Sequence, residues 1–197
     1  MATVFQGSIA VFAFALGWLL RINPFDKFDV TAQAVAVGVA GTLPMLLLFA
    51  ITYRFPIGPF GRIKRFLVDG LGPYLCECRW YDLAWVAFLA GVSEELLFRA
   101  VLQQWLNQWG TVPSLLISNI VFGAVHSVTL LYPFLAGLLG LYLGTLFQFA
   151  SSGNLLVPTI THSLYDFIAF LIVRRTYFNQ LKLLKPTEAA VENEHSN

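Results

Sequence analysis

The chain has 197 residues, of which 57% are hydrophobic and 12% are charged, and its formal net charge is +1. A soluble protein of this length does not need so many apolar residues to form a core, so the composition indicates a membrane protein rather than a soluble one.

Six apolar segments follow one another along the chain, and each approaches the roughly 20 residues that a transmembrane helix requires. Lipid provides no partner for backbone polar groups, so uninterrupted apolar runs of this length are predicted to be helices. The sequence therefore predicts an all-α, polytopic membrane protein with about six transmembrane helices. The predicted spans are residues 3–22, 30–53, 82–106, 112–131, 133–150 and 155–173.

The first segment lacks the positively charged start of a signal peptide and is interpreted as an uncleaved span. The loop after the second segment is basic, and within it residues 60–68 alternate basic and apolar side chains. That mixture is typical of a helix lying on the membrane surface, although an ordinary positively charged linker fits equally well.

Lysine and arginine concentrate on the cytoplasmic side of membrane proteins, and here they concentrate in two places. With six spans, these two clusters predict that both termini are cytoplasmic. Arg21 and Lys27, after the first span, would favour the opposite orientation, but the larger clusters decide. The clusters consist of Arg54, Arg62, Lys64, Arg65 and Arg79 in the loop and Arg174, Arg175, Lys182 and Lys185 after the sixth span.

Ionisable residues inside the predicted third span are the first functional signal. Charged side chains in a membrane helix are expensive and normally face a protein interior or a cavity. Glu95 and Arg99 are four residues apart and share a helix face, so they are predicted to form an ion pair. Glu94 points about 100° away from that pair. It is therefore the candidate for chemistry, projecting into a cavity.

Two later segments carry the partners of Glu94. Phe122 precedes His126 by one helical turn, and His162 precedes Asp166 by the same spacing, which directs the two side chains of each pair toward one place. Potential hydrogen-bond partners nearby are Ser118, Asn119 and Tyr165.

Together, Glu94-Glu95-x-x-x-Arg99, Phe122-x-x-x-His126 and His162-x-x-x-Asp166 resemble the signature of the CPBP family of intramembrane proteases. That family includes type II CAAX prenyl endopeptidases, lysostaphin resistance protein A-like (Abi) proteins and bacteriocin-processing and immunity proteins. The resemblance covers about residues 83–173 and leaves the first two spans unassigned. The predicted organisation is therefore two N-terminal spans with the basic loop (1–79), a CPBP-like protease core with four catalytic helices (80–175) and a polar C-terminal tail (176–197). From Thr187 this tail is predicted to be disordered.

The resemblance implies that Glu94 and His126 activate a water molecule and that His162 and residue 166 stabilise the oxyanion. Glu95, Arg99 and Phe122 would be structural or orienting residues. An ionised Asp166 cannot donate to an oxyanion, so it is protonated, or orients His162, or helps to hold a metal.

Zinc is a candidate cofactor, because two histidines with a carboxylate and a water form an acceptable zinc ligand set. Its candidate ligands are Glu94, His126 and His162. The family has been described both as metalloproteases and as glutamate-dependent proteases, and the description without an obligatory metal is preferred.

The resemblance implies an intramembrane endopeptidase that cleaves membrane-associated proteins or peptides, CAAX-type prenylated ones among them. Membrane lipid and such a substrate are the expected partners, and no nucleic acid is expected. The alternative is a catalytically silent relative that acts as a membrane scaffold or bacteriocin-immunity protein. A carrier that uses the carboxylates as a proton relay is disfavoured, because no pair of interrupted spans is repeated.

Overall fold

The computed structural model describes residues 1–150 and 153–194, and every regular element within them is helical. The predicted all-α fold class is therefore confirmed. The α-helices are α1 (Ala2–Leu20), α2 (Ala32–Arg54), α3 (Pro59–Arg65), α4 (Gly72–Glu77), α5 (Trp80–Glu95), α6 (Gln104–Leu106), α7 (Thr111–Val125), α8 (Tyr132–Phe149) and α9 (Leu156–Glu194). Two π-helical segments, Phe66–Leu71 and Leu96–Gln103, and a 3-10 turn, Asn107–Trp109, join some of them.

Within the part of the chain that the structure describes, four helices are long and apolar enough to cross a membrane: α1, α2, α8 and the part of α9 up to Leu183. They leave many large apolar side chains exposed, Phe5, Trp18 and Leu43 among them. Such a surface is expected where the surrounding medium is lipid. The predicted total of six spans stays a prediction, because the third and fourth segments form shorter helices.

The third predicted span is helical along its whole length but changes type. The α-helix ends at Glu95, the π-helical segment spans Leu96–Gln103, and α6 begins at Gln104. The fourth span ends at Val125, six residues before its predicted end. Tyr132 begins α8, with Pro133 in its first turn, so residues 126–131 form a non-helical connection between α7 and α8.

The sixth segment extends much further than predicted, because α9 continues to Glu194. The prediction of a disordered tail from Thr187 is therefore wrong up to that residue. Glutamate and alanine are frequent after Pro186 and are strong helix formers. The prediction relied on the polar composition of the tail and underestimated this helix propensity. Residues 151–152, in the predicted link after the fifth span, and residues 195–197, at the end of the predicted tail, lie outside the described residues.

Small residues bring the helices that carry the predicted site residues close together. Gly123 of α7 faces Gly137 of α8, and a Cβ built on Gly123 would lie 3.2 Å from the Gly137 Cα. Gly91 of α5 faces Ser163 of α9, where a built Cβ would collide with the Ser163 Oγ. Close approach through small residues is how membrane helices gain packing energy.

We expect Gly91→Ala to separate α5 from α9 and to destabilise the protein by about 1–3 kcal/mol, as overpacking does. Besides the Ser163 hydroxyl, the new methyl group would lie 3.0 Å from the Ser163 backbone nitrogen and 3.1 Å from the Thr159 carbonyl oxygen. Thermal unfolding of the full chain in mild detergent measures the effect. Gly7→Ala is the matched control, since a Cβ there has no neighbour within 4 Å. Equal midpoints for the two variants would contradict the expectation.

Candidate active site

The predicted ion pair between Glu95 and Arg99 is present and completely buried. The Arg99 Nη1 donates to the Glu95 Oε1 at 3.1 Å, and the Arg99 Nε lies 3.1 Å from the Glu95 Oε2. Both side chains have 0% exposure. A buried ion pair is tolerated only where further hydrogen bonds satisfy its remaining groups.

Those further hydrogen bonds come from three other helices. The Arg99 Nη2 donates to the Asn119 Oδ1 of α7 at 3.1 Å and to the Gly140 carbonyl oxygen of α8 at 2.7 Å. The Glu95 Oε1 accepts a hydrogen bond from the His162 Nδ1 of α9 at 2.8 Å. Glu95 and Arg99 therefore tie together four helices of the predicted core.

The Phe122 ring also contacts the buried ion pair of Glu95 and Arg99. The Arg99 Cζ lies 4.8 Å from the centroid of the Phe122 ring, a cation–π distance. The same ring lies 4.4 Å from the His126 ring, centroid to centroid. Gly140 leaves room for this arrangement, since a Cβ there would lie 2.8 Å from the Phe122 ring. Phe122 thus contacts both the ion pair and His126.

Glu94 is buried, with 11% of its side chain exposed, and faces both predicted histidines. Its Oε2 lies 3.6 Å from the His126 Nε2 and 3.9 Å from the His162 Nε2. Among the described residues this oxygen has no hydrogen-bond partner. A buried carboxylate oxygen without a partner calls for an explanation, and a catalytic role is one of them.

The two imidazoles are held by their Nδ1 atoms. His126 caps the C-terminus of α7, and its Nδ1 lies 2.7 Å from the Phe122 carbonyl oxygen. The Nδ1 of His162 lies 2.8 Å from the Glu95 carboxylate. A carbonyl and a carboxylate only accept, so each Nδ1 is the donor and each Nε2 is left facing Glu94.

Asp166 lies on the Nε2 side of His162, with its Oδ2 3.6 Å from that nitrogen. The predicted spacing of His162 and Asp166 on one helix face thus brings the two side chains together. Glu95 contacts the Nδ1 atom of the same ring, so His162 has a carboxylate on both sides.

A cavity of about 140 Å³ adjoins this cluster. His126 and His162 form part of its wall, whereas Glu94 does not. The remainder of the wall is mostly apolar, and Lys64 of α3 lies there with its Nζ 4.6 Å from the Tyr53 ring centroid. The cavity therefore reaches from the histidines to the basic segment between α2 and α5.

A zinc site is not formed by the predicted ligands as they stand. In the part of the chain that the structure describes, no three His, Cys, Asp or Glu side chains are arranged to hold a metal ion. Glu94, His126 and His162 have ligand atoms of the types that zinc takes.

Two residues of the site were not predicted. The Gln6 Nε2 of α1 lies 3.4 Å from the Glu94 Oε1, and the Ser93 Oγ donates to the Gln6 Oε1 at 2.6 Å. Of the three hydrogen-bond partners suggested from the sequence, Asn119 binds Arg99. Ser118 instead donates to the Ser114 carbonyl oxygen of its own helix, and Tyr165 packs edge-on against Phe49.

A buried cluster of carboxylates and histidines among apolar helices is a candidate functional site. Residues 77–168 match the family model described as Rce1-like, type II CAAX prenyl endopeptidase. The matched segment begins at the end of α4 and contains all three sequence motifs, from Glu94 to Asp166. The match confirms the resemblance of the chain to the CPBP family.

At family level, the match indicates a protease-type enzyme, and together with the four apolar helices it identifies an integral membrane protein. Comparison with curated proteins found no match, and neither did comparison with solved structures.

Proposed function

We propose that this protein is an intramembrane endopeptidase in which Glu94, His126, His162 and Asp166 are the catalytic residues. One observation carries the proposal: the buried Oε2 of Glu94 has no hydrogen-bond partner among the described residues and faces the Nε2 atoms of two histidines on two other helices. The resemblance to type II CAAX prenyl endopeptidases supports the same reaction class.

In the proposed reaction, a water molecule bound beside the Glu94 Oε2 is deprotonated by that carboxylate, while the lone pair of the His126 Nε2 accepts its other hydrogen. The water oxygen bonds to the carbonyl carbon of the substrate and forms a tetrahedral oxyanion. The C–N bond then breaks, and the proton held by Glu94 passes to the leaving amine. Water is the only reactant besides the substrate, and its atoms end in the new carboxyl group and the leaving amine.

The oxyanion is proposed to bind at His162. Three carboxylates, Glu94, Glu95 and Asp166, lie close to this ring, and the nearby Arg99 is already paired with Glu95. An imidazolium at His162 would balance part of that negative charge. It would donate through Nδ1 to Glu95 and through Nε2 to the oxyanion, and Asp166 would stabilise its positive charge.

The substrate is proposed to be a membrane-associated protein or peptide, with CAAX-type prenylated chains as one candidate class. The apolar cavity beside the histidines would accept its apolar part. The cavity lies next to Lys64, in the basic segment between α2 and α5. The positive-inside rule predicts that this segment and both chain termini are cytoplasmic, so we propose that the substrate enters from the cytoplasmic side.

The test is a comparison of protein termini in the membrane proteome of cells that contain equal amounts of wild-type protein or of the Glu94→Gln variant. Termini present only with the wild type would establish proteolysis and identify substrates. Identical sets of termini, with both proteins folded in the membrane, would contradict the proposal and leave the scaffold or immunity role.

A further inference from the structure

Helix α1 contributes one polar side chain to the buried cluster, although it lies outside the segment that matches the Rce1-like model. Gln6 is a half-buried amide on this mostly apolar helix. It spans the gap between Ser93 and Glu94, which are consecutive residues at the end of α5. These are the side-chain hydrogen bonds that connect α1 with α5 among the described residues.

The orientation of the amide follows from its two partners. The Glu94 carboxylate only accepts when it is ionised, so the Gln6 Nε2 must face it. The Ser93 hydroxyl then donates to the Oε1 of the same amide, at 2.6 Å. Ser93 fixes the amide plane, and the amide N–H is directed at the Glu94 Oε1, 3.4 Å away.

This contact determines which carboxylate oxygen faces the histidines. Rotation about the terminal torsion of a glutamate is broad, so a carboxylate with no contact would sample many orientations. With Oε1 facing Gln6, Oε2 is turned toward the Nε2 atoms of His126 and His162. Among the described residues, the Glu94 side chain has no other hydrogen bond that would hold it.

We propose that Gln6 is a positioning residue for Glu94, so that α1 forms part of the active site. The inference rests on the proposed function, since it assigns to Glu94 the role of the base. Gln6 would act through Glu94, by holding its Oε2 in the direction from which the water molecule is activated.

Helix α1 also packs through residues other than Gln6. Ala13 is fully buried in a cluster with Leu96 and Ala100. Gly17 lies close to Val101, where a built Cβ would come within 3.4 Å of the Val101 Cγ2. Both contacts are two or more turns along the helix from Gln6, so replacement of Gln6 leaves the apolar contact between α1 and the π-helical segment in place.

The experiment uses the full-length protein in detergent or lipid vesicles and a peptide substrate identified by the comparison of termini. Gln6→Met keeps the length of the side chain and removes both hydrogen bonds. We expect kcat to fall about tenfold, as for loss of a hydrogen bond to a charged group, with KM within twofold. Ser8→Ala is the matched control on the same helix, since Ser8 is exposed and bonds only to the Phe5 carbonyl oxygen. It should leave both constants unchanged.

Two further variants separate positioning from packing. Gln6→Glu retains an acceptor for Ser93 but presents an oxygen to Glu94, so its kcat should be as low as that of Gln6→Met or lower. In a Ser93→Ala background, Gln6→Met should reduce kcat less than threefold, because the amide is no longer held in place.

The outcomes distinguish this inference from the proposed function. Wild-type kcat in Gln6→Met, or an effect confined to KM, overturns the positioning role if Glu94→Gln is inactive in the same assay. Full activity of Glu94→Gln overturns the proposed function and this inference together. Low kcat in Gln6→Met and Gln6→Glu, with a normal control, supports the inference.

Discussion

Replacing Glu94 with glutamine should lower kcat/KM by about 10²–10⁴-fold, the range expected for loss of a general base. Folding should change little, since the Oε2 of Glu94 has no hydrogen-bond partner among the described residues and the amide has nearly the same shape as the carboxylate. The measurement is the initial rate of peptide cleavage by purified full-length protein, with the thermal midpoint recorded for the same preparation.

The neighbouring carboxylate provides the control for this experiment. Glu95→Gln leaves Arg99 and His162 with a neutral acceptor in place of a charge, so it should lower the thermal midpoint clearly more than Glu94→Gln does. If Glu94→Gln retained more than a tenth of the wild-type kcat/KM, Glu94 would not be the base.

Replacing Arg99 with methionine should destabilise the protein by about 3–5 kcal/mol, because it leaves the Glu95 carboxylate buried without its cation. It also removes the bonds to Asn119 and to the Gly140 carbonyl oxygen, which join α7 and α8 to the π-helical segment. Chemical denaturation in mild detergent measures the free energy of unfolding. Arg62→Met, at an exposed arginine of α3, is the control and should change stability by about 0.5 kcal/mol or less.

The double variant Glu95→Gln with Arg99→Met tests the reason for this loss. Removing both charges abolishes the unpaired carboxylate, so the double variant should be more stable than Arg99→Met alone. A double variant less stable than either single one would mean that lost packing, and not the buried charge, accounts for the effect.

The core of the site was predictable because ionisable residues in an apolar chain are few and their spacing decides the direction in which they point. The four-residue spacing of Glu95 and Arg99 correctly predicted their ion pair, and the separate direction of Glu94 agrees with its contacts to His126 and His162. The all-α fold was predictable from hydropathy, because lipid offers no hydrogen-bond partners and a long apolar segment satisfies its own backbone groups by forming a helix.

Other features have no local signal in the sequence. Nothing in residues 96–103 distinguishes a π-helical segment from an α-helix, although π-helical turns often lie at functional sites. That His126 caps α7 depends on a contact with a backbone carbonyl oxygen, which no spacing rule reveals. Gln6 was missed because a lone amide in an apolar helix is ordinary, and the 88 residues between it and Glu94 hide their contact.

The hydrogen-bond partners of Glu95 and Arg99 lie on helices that come later in the chain, and this order affects how the protein enters the membrane during synthesis. Arg99 and Glu95 leave the ribosome before Asn119, Gly140 and His162, each of which belongs to a later helix. Until those helices have entered the bilayer, the segment that carries the ion pair lacks most of its polar contacts, and charged groups are poorly tolerated in lipid. We therefore expect stable integration of this segment to depend on the helices that follow it, which supply these contacts.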